Sequence, residues 1–100
     1  MDGWQIVSEP KRRRILRLVW DHELSAGEIA GHFDVTFGAV SQHLSVLREA
    51  GFVRSRRDGN RIYYQADHAG LGPFAAALQQ MWSATLEDLA EAIEADRDAP

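Results

Sequence analysis

Apolar positions along this chain change period several times, and the changes mark its elements. Trp4 to Val7 form a short apolar stretch, after which Ser8-Glu9-Pro10 supplies a capping side chain, a first-turn acid and a proline that open a helix. The spacing predicts that helix to about Trp20, with Ile15, Leu16, Leu18, Val19 and Trp20 on one broad face and Lys11, Arg12, Arg13, Arg14 and Arg17 on the rest. Ser25-Ala26-Gly27-Glu28 has the spacing of a capping box and predicts a second helix to about Phe33, with Ile29, Ala30 and Phe33 at core spacing. His32 to Val35 leave room only for a tight turn. Thr36 then caps a third helix, over about 36–50, which turns Val40, Leu44, Val46 and Leu47 inward and stops at Gly51, with Phe52 closing the stop.

Two helices of this length joined by a short turn have the outline of a helix-turn-helix. The period then falls to two. Phe52 to Arg57 and Arg61 to Ala66 read as strands, joined by the turn signal Asp58-Gly59-Asn60 into a hairpin wing over about 52–66, which must lie against the helices because two strands alone are marginal in water. Gly70-Leu71-Gly72-Pro73 breaks the chain, and a last helix is expected over about 71–95. Its stripe of Leu71, Phe74, Leu78, Met81, Trp82, Leu86, Leu89 and Ile93 is wider than one small domain readily covers. It is expected to serve both as core and as interface, with Phe74, Leu78, Met81, Trp82, Leu86 and Leu89 joining Trp4 and Ile6 where two copies of the chain meet. The expectation is one domain over residues 1–100, mainly α with a two-stranded wing, dimerising through its N- and C-terminal helices.

Composition changes this picture in three ways. An apolar fraction of 45% excludes a disordered chain. The absence of cysteine excludes disulfides, thiolate metal sites, thiol nucleophiles and thiol redox sensing. The net charge of −4 conceals a segregation: residues 10–61 hold ten basic and six acidic residues, a balance of +4, and the remainder carries −8. A basic middle with acidic ends suits a chain whose central face meets phosphates, and ordinary solvated charge is the other reading. With no apolar leader and no run long enough to span a bilayer, the expected compartment is the cytoplasm, with no membrane partner.

The run Val40-Ser41-Gln42-His43-Leu44-Ser45-Val46-Leu47-Arg48-Glu49-Ala50-Gly51-Phe52-Val53, followed by an arginine-rich hairpin, resembles the ArsR/SmtB family of bacterial winged-helix repressors over nearly the whole chain. The resemblance implies a homodimeric repressor that releases its DNA operator when a signal arrives; a palindromic operator and autorepression within its own operon are further expectations, and the residues do not say whether a small molecule, a protein or nothing relieves repression. Metal sensors of that family carry a cysteine pair just after a Glu-Leu pair, where this chain reads Glu23-Leu24-Ser25-Ala26-Gly27, so soft-metal sensing there is excluded. The family's zinc site between C-terminal helices uses aspartate and histidine, and no histidine follows His68. No metal and no cofactor is expected.

Within this frame Ser41 and Gln42 lie on the exposed side of the recognition helix, where a glutamine amide pairs with adenine and a hydroxyl reaches a base or phosphate. His43 either packs, bonds a phosphate or reaches a base. At the helix entrance Thr36 is followed by Phe37 and Gly38, where relatives place small polar residues; Phe37 either meets a thymine methyl or plugs the core, and Gly38 lets the backbone approach phosphates. Arg54, Arg56, Arg57 and Arg61 on a thin hairpin point to phosphate or minor-groove contact. The run Lys11 to Arg14 either approaches the flanking DNA backbone or is a solvated face, and His22 and His32 read as surface histidines. No nucleophile and base pair, glycine-rich phosphate loop or paired acid indicates an enzyme. The alternative reading is a winged-helix protein-interaction module without DNA binding.

Overall fold

A computed structural model of the chain describes residues 1–84. Leu86 and Leu89, with the rest of the predicted terminal helix, lie outside the described residues.

The apolar stretch at the start forms the short N-terminal helix, and Ser8, which the pattern lends to the helix that follows, belongs to its end. The Asp2 carboxylate accepts from Gln5 N at 2.8 Å while the Gln5 side chain accepts from Asp2 N at 2.8 Å, a reciprocal cap that starts helix α1 (Gly3–Ser8). Glu9 is then the cap of α2 (Pro10–Leu18), its carboxylate accepting from Arg12 N at 2.9 Å, with Pro10 in the first turn where a missing N–H costs nothing. Helix α2 ends at Leu18 rather than Trp20 because the sheet claims the backbone just beyond, Ala66 N donating to Val19 O at 2.8 Å.

The capping box over residues 25–28 forms as its spacing requires: Ser25 Oγ accepts from Glu28 N at 3.2 Å and Glu28 accepts from Ser25 N at 2.9 Å. The bond from Ser25 N, joined by the Ser25 side chain, favours the carboxylate and holds Glu28 below its ordinary pKa. Helix α3 (Ala26–Ala30) stops at Gly31, short of the predicted Phe33. Thr36 Oγ1 accepts from Ala39 N at 3.1 Å and opens α4 (Phe37–Glu49). At its end Gly51 takes a φ of 79°, Phe52 N donates to Leu47 O at 2.9 Å and Gly51 N donates to Arg48 O at 3.0 Å. This paired closure needs a left-handed residue that only glycine adopts freely.

The wing strands β2 (Val53–Asp58) and β3 (Arg61–Ala66) pair antiparallel from Val53 opposite Ala66 to Asp58 opposite Arg61, turning through Gly59 and Asn60. The sheet has a third strand that the pattern does not predict. Leu24 and Ser25, as β1, pair with Tyr64 and Tyr63 and put β3 in the centre. A short helix α5 (His68–Leu71), capped by Asp67, precedes Gly72, and residues 73–84 are helical. The predicted helix start at residue 71 therefore divides in two at Gly72.

The core forms where the faces of α2, α3, α4 and the sheet meet, around Ile15, Leu16, Ile29, Leu44, Leu47 and Tyr64, with Leu71 and Leu78 closing it from the C-terminal side. Full burial of each such side chain contributes about 1.5–3 kcal/mol. Trp20 lies between His68 and Trp82, with ring centroids at 4.4 and 4.9 Å. His68 Nε2 is fixed 3.0 Å from Trp20 O.

Candidate nucleic-acid interface

Because α4 buries Val40, Leu44 and Leu47, its opposite face is set by helical period: Phe37, Gly38, Ser41, Gln42, Ser45 and Arg48 are all exposed. Ser41 and Gln42 stand in the middle of this stripe, as the spacing predicts. Thr36 is exposed at its head, with its hydroxyl oxygen already accepting the capping bond. Phe37 does not plug the core. It is 57% exposed and lines a cleft of about 580 Å³ together with Ser25, Ala26, Gly27, Glu28 and the wing residues Asn60, Arg61 and Ile62. The recognition helix and the wing tip therefore flank one opening.

The hairpin register separates the wing arginines. Side chains alternate along a strand, so Arg54, Arg56 and Asp58 share one face, and Val53, Ser55 and Arg57 share the other, the face that packs on the helices through Val53, Tyr64 and Ala66. Arg57, opposite Ile62, lies toward the tip of that inner face and is exposed, as are Arg54 and Arg61. Arg56 is already engaged. Its Nε donates to Glu23 at 2.6 Å, Asp58 is 3.9 Å away, and its guanidinium lies 4.7 Å from the Tyr63 ring centroid. The bond to Glu23 pushes the Arg56 pKa further above its already high ordinary value. Arg56 thus fastens the wing to the segment before β1, a use that hairpin charge alone does not reveal.

His43 takes the packed alternative. It is half-buried, its Nδ1 faces the Arg12 guanidinium at 3.4 Å, and its Nε2 is 3.9 Å from Glu9. A guanidinium only donates, so Nδ1 is the acceptor. The basic run divides likewise. Arg12 donates to Ile6 O at 2.8 Å and Gln5 O at 3.2 Å, and Arg13 to Val7 O at 3.2 Å and Ser8 O at 2.8 Å, so these two half-buried side chains cap the C-terminal carbonyls of α1. Lys11 and Arg14 are not drawn into that cap; Lys11 is exposed and Arg14 lies 5.0 Å from the Phe33 ring centroid.

A second, apolar surface lies on the N-terminal side. Trp4 is 65% exposed and meets Phe74 edge to face at 5.0 Å, and with Met81, 42% exposed, it borders a cleft of about 190 Å³. Trp82 and Phe74 are half-buried. Ile6 and Leu78, counted with this surface on spacing alone, are buried within the protomer and support it from beneath. Among the described residues no group of three or more histidines, aspartates or glutamates is close enough to hold a metal ion, and no helix is long and apolar enough to cross a membrane.

Sequence reasoning missed Ile62 on the cleft, Glu23 as the partner of Arg56, and the capping of α1 by Arg12 and Arg13. Each depends on an approach that the local pattern does not encode. Only Glu23 carried a hint, as an acid beside the strand that pairs with the wing.

The comparisons agree with this geometry. The family of bacterial regulatory proteins described as the arsR family matches residues 9–55, from the cap of α2 into β2. The HTH-type transcriptional regulator Rv2034 of Mycobacterium tuberculosis is 36% identical over 96 residues, covering 96% of this chain and 90% of that protein. The transcriptional repressor SdpR of Bacillus subtilis is 38% identical over 61 residues, covering 61% of this chain and 68% of that protein. Among solved structures, that of a possible transcriptional regulator for arsenical resistance superposes with a TM-score of 0.68 at 36% identity, over 96% of each chain. That of M. tuberculosis Rv0081 gives 0.70 at 30% identity, over 88% of this chain and 89% of the other. The family and these relatives are regulators rather than enzymes. The chain belongs to the arsR family and is a winged-helix, DNA-binding transcription regulator.

Proposed function

We propose that the chain is a homodimeric repressor in the cytoplasm, that it presents two copies of α4 to successive major grooves of a palindromic operator, and that it represses its own operon. The observation that carries the reading is the exposed stripe of Phe37, Gly38, Ser41 and Gln42, whose first residue, Phe37, lines one cleft with the wing-tip residues Asn60, Arg61 and Ile62. A helix in the major groove places such a stripe on base edges while the wing reaches the flanking backbone.

In this reading Gln42 and Ser41 contact bases, and Thr36 and Gly38 approach phosphates through the open helix entrance. Arg54, Arg57 and Arg61 neutralise phosphate, and Arg56 chiefly holds the wing in place. Trp4, Phe74, Met81 and Trp82 form the described part of the dimer interface, which is supported by large apolar side chains left exposed on a small domain. The repressor assignment is supported by the name of the B. subtilis relative. An effector, small molecule or protein, would act by favouring one of two dimer arrangements.

Footprinting on DNA containing the chain's own upstream region tests the whole reading. Two protected half-sites roughly 34 Å apart, about one helical turn, are expected. Protection of a single half-site, or none at any protein concentration, would overturn it in favour of a monomeric or protein-binding module.

A further inference from the structure

We propose that Phe37, with Ile62 across the cleft, is an apolar reader of the C5-methyl group of a thymine, and that it sets one base preference in each half-site. The inference rests on the reading that α4 enters the major groove, and it names what the entrance of that helix recognises.

Three observations carry it. Phe37 is the first residue of α4 and is 57% exposed, while the inward face of the helix is filled by Val40, Leu44 and Leu47, so the fold makes no use of this phenyl as core. Ile62, 36% exposed, lines the same cleft with Ala26 and Gly27, and the polar lining is Ser25, Glu28, Asn60 and Arg61. Gly38 follows directly, and a Cβ built there would meet no residue beyond its chain neighbours nearer than Thr36 Oγ1 at 4.0 Å, so no packed contact occupies the helix entrance at that position.

Two apolar side chains in a cleft that also holds the Glu28 carboxylate make a poor surface for phosphate, which the wing-tip cations Arg57 and Arg61 suit better. They suit a base edge that presents carbon. In the major groove thymine does so through its C5-methyl, whereas the other three bases are distinguished by donors and acceptors. Ser41, one helical turn beyond Phe37, and Gln42 beside it then read the neighbouring polar edges, so apolar and polar recognition follow one another along the stripe. Cytosine methylated at C5 carries the same group at the same place and would satisfy the slot equally.

The test uses the full chain and a duplex selected by it from random-sequence DNA. Each thymine of the selected site is replaced in turn by uracil, which deletes the methyl and nothing else, and binding is titrated for the wild type, Phe37→Ala and Phe37→Leu. At one thymine per half-site, uracil is expected to weaken wild-type binding about fourfold, the weight of one buried methyl group, and about fifteenfold when both half-sites are changed. The 5-methylcytosine·guanine pair there should bind more tightly than the unmethylated pair. Phe37→Ala should be indifferent to all of these changes, and Phe37→Leu should keep part of the discrimination. Because the phenyl is exposed, both variants should melt like the wild type, which circular dichroism checks.

If no thymine is sensitive to uracil, or if Phe37→Ala responds as the wild type does, the methyl reader is wrong while the DNA-binding face stands. If selection enriches no duplex at all, the face itself has been misread and this inference falls with it.

Discussion

Replacing Arg57 and Arg56 one at a time by alanine separates a cation offered to phosphate from one spent on the fold. Among the described residues no carboxylate lies within ion-pair distance of Arg57, whereas Arg56 holds Glu23 at 2.6 Å and faces Asp58 at 3.9 Å. In the proposed dimer, removing one phosphate-neutralising cation from each protomer, two in all, should make the plot of log affinity against log salt shallower by about 1.8. Between about 50 and 200 mM salt, therefore, the advantage of the wild type over Arg57→Ala should shrink by about twelvefold. Arg56→Ala removes a charge already balanced by Glu23 and should change the slope by less than half as much, with Glu23→Gln tightening binding by releasing Arg56. Fluorescence anisotropy on one duplex over a salt series measures all three. Equal slope changes for Arg56→Ala and Arg57→Ala, or an unchanged slope for Arg57→Ala, would refute the division of the wing into an outer fastening and an inner, phosphate-facing cation.

Gly70→Ala would drive a Cβ into Gly51 O, a backbone atom that cannot swing aside, so α5 must lift from the end of α4. The expected cost is about 1–3 kcal/mol, read as a drop in Tm of about 4–8 °C for each kcal/mol, and an unchanged Tm would contradict the close approach. Glu28 titrates below its ordinary value of 4.5 in the fold, so its capping bond contributes stability above that value and loses it as pH falls through the lowered one. The stability gap between wild type and Glu28→Gln, measured by urea unfolding at about pH 7, should therefore narrow toward about pH 3; a gap that widened would reverse the sign of the coupling. Trp4→Asp should shift sedimentation at micromolar concentration from dimer to monomer while leaving the helical circular dichroism signal unchanged, and a persistent dimer would move the interface elsewhere.

The parts of the fold legible in the sequence are those decided within four or five residues. Ser25 with Glu28, Thr36 before α4 and Gly51 after it each satisfy or end a helix through local bonds, and all three are found where the spacing puts them. Strand β1 was not legible, because Leu24 and Ser25 are extended only by virtue of pairing with Tyr64 and Tyr63, some forty residues on. The same holds for charge. Arg12 and Arg13 are indistinguishable from Lys11 and Arg14 in sequence, and what separates them is that the fold brings the carbonyls of α1 within reach of the first pair alone. Phe37 is ambiguous between core and surface because one apolar residue at a helix start carries no period. Its side is fixed by how α3 and α4 pack. Ile6 and Leu78 show the converse: the spacing marks an apolar stripe but not where the protomer's own core ends and the exposed face begins.

Titration of the wild type, Gln42→Ala and His43→Ala against a selected operator and single-base-pair variants of it tests most directly the claim that the exposed stripe of α4 reads DNA sequence. Gln42→Ala should lose discrimination at one base pair in each half-site, by about 1–3 kcal/mol, and keep it elsewhere. His43→Ala, whose imidazole is turned toward Arg12 and Glu9, should melt at lower temperature yet keep the wild-type pattern of base preference. A Gln42→Ala protein that discriminates every base pair as the wild type does would contradict the placement of α4 in the major groove.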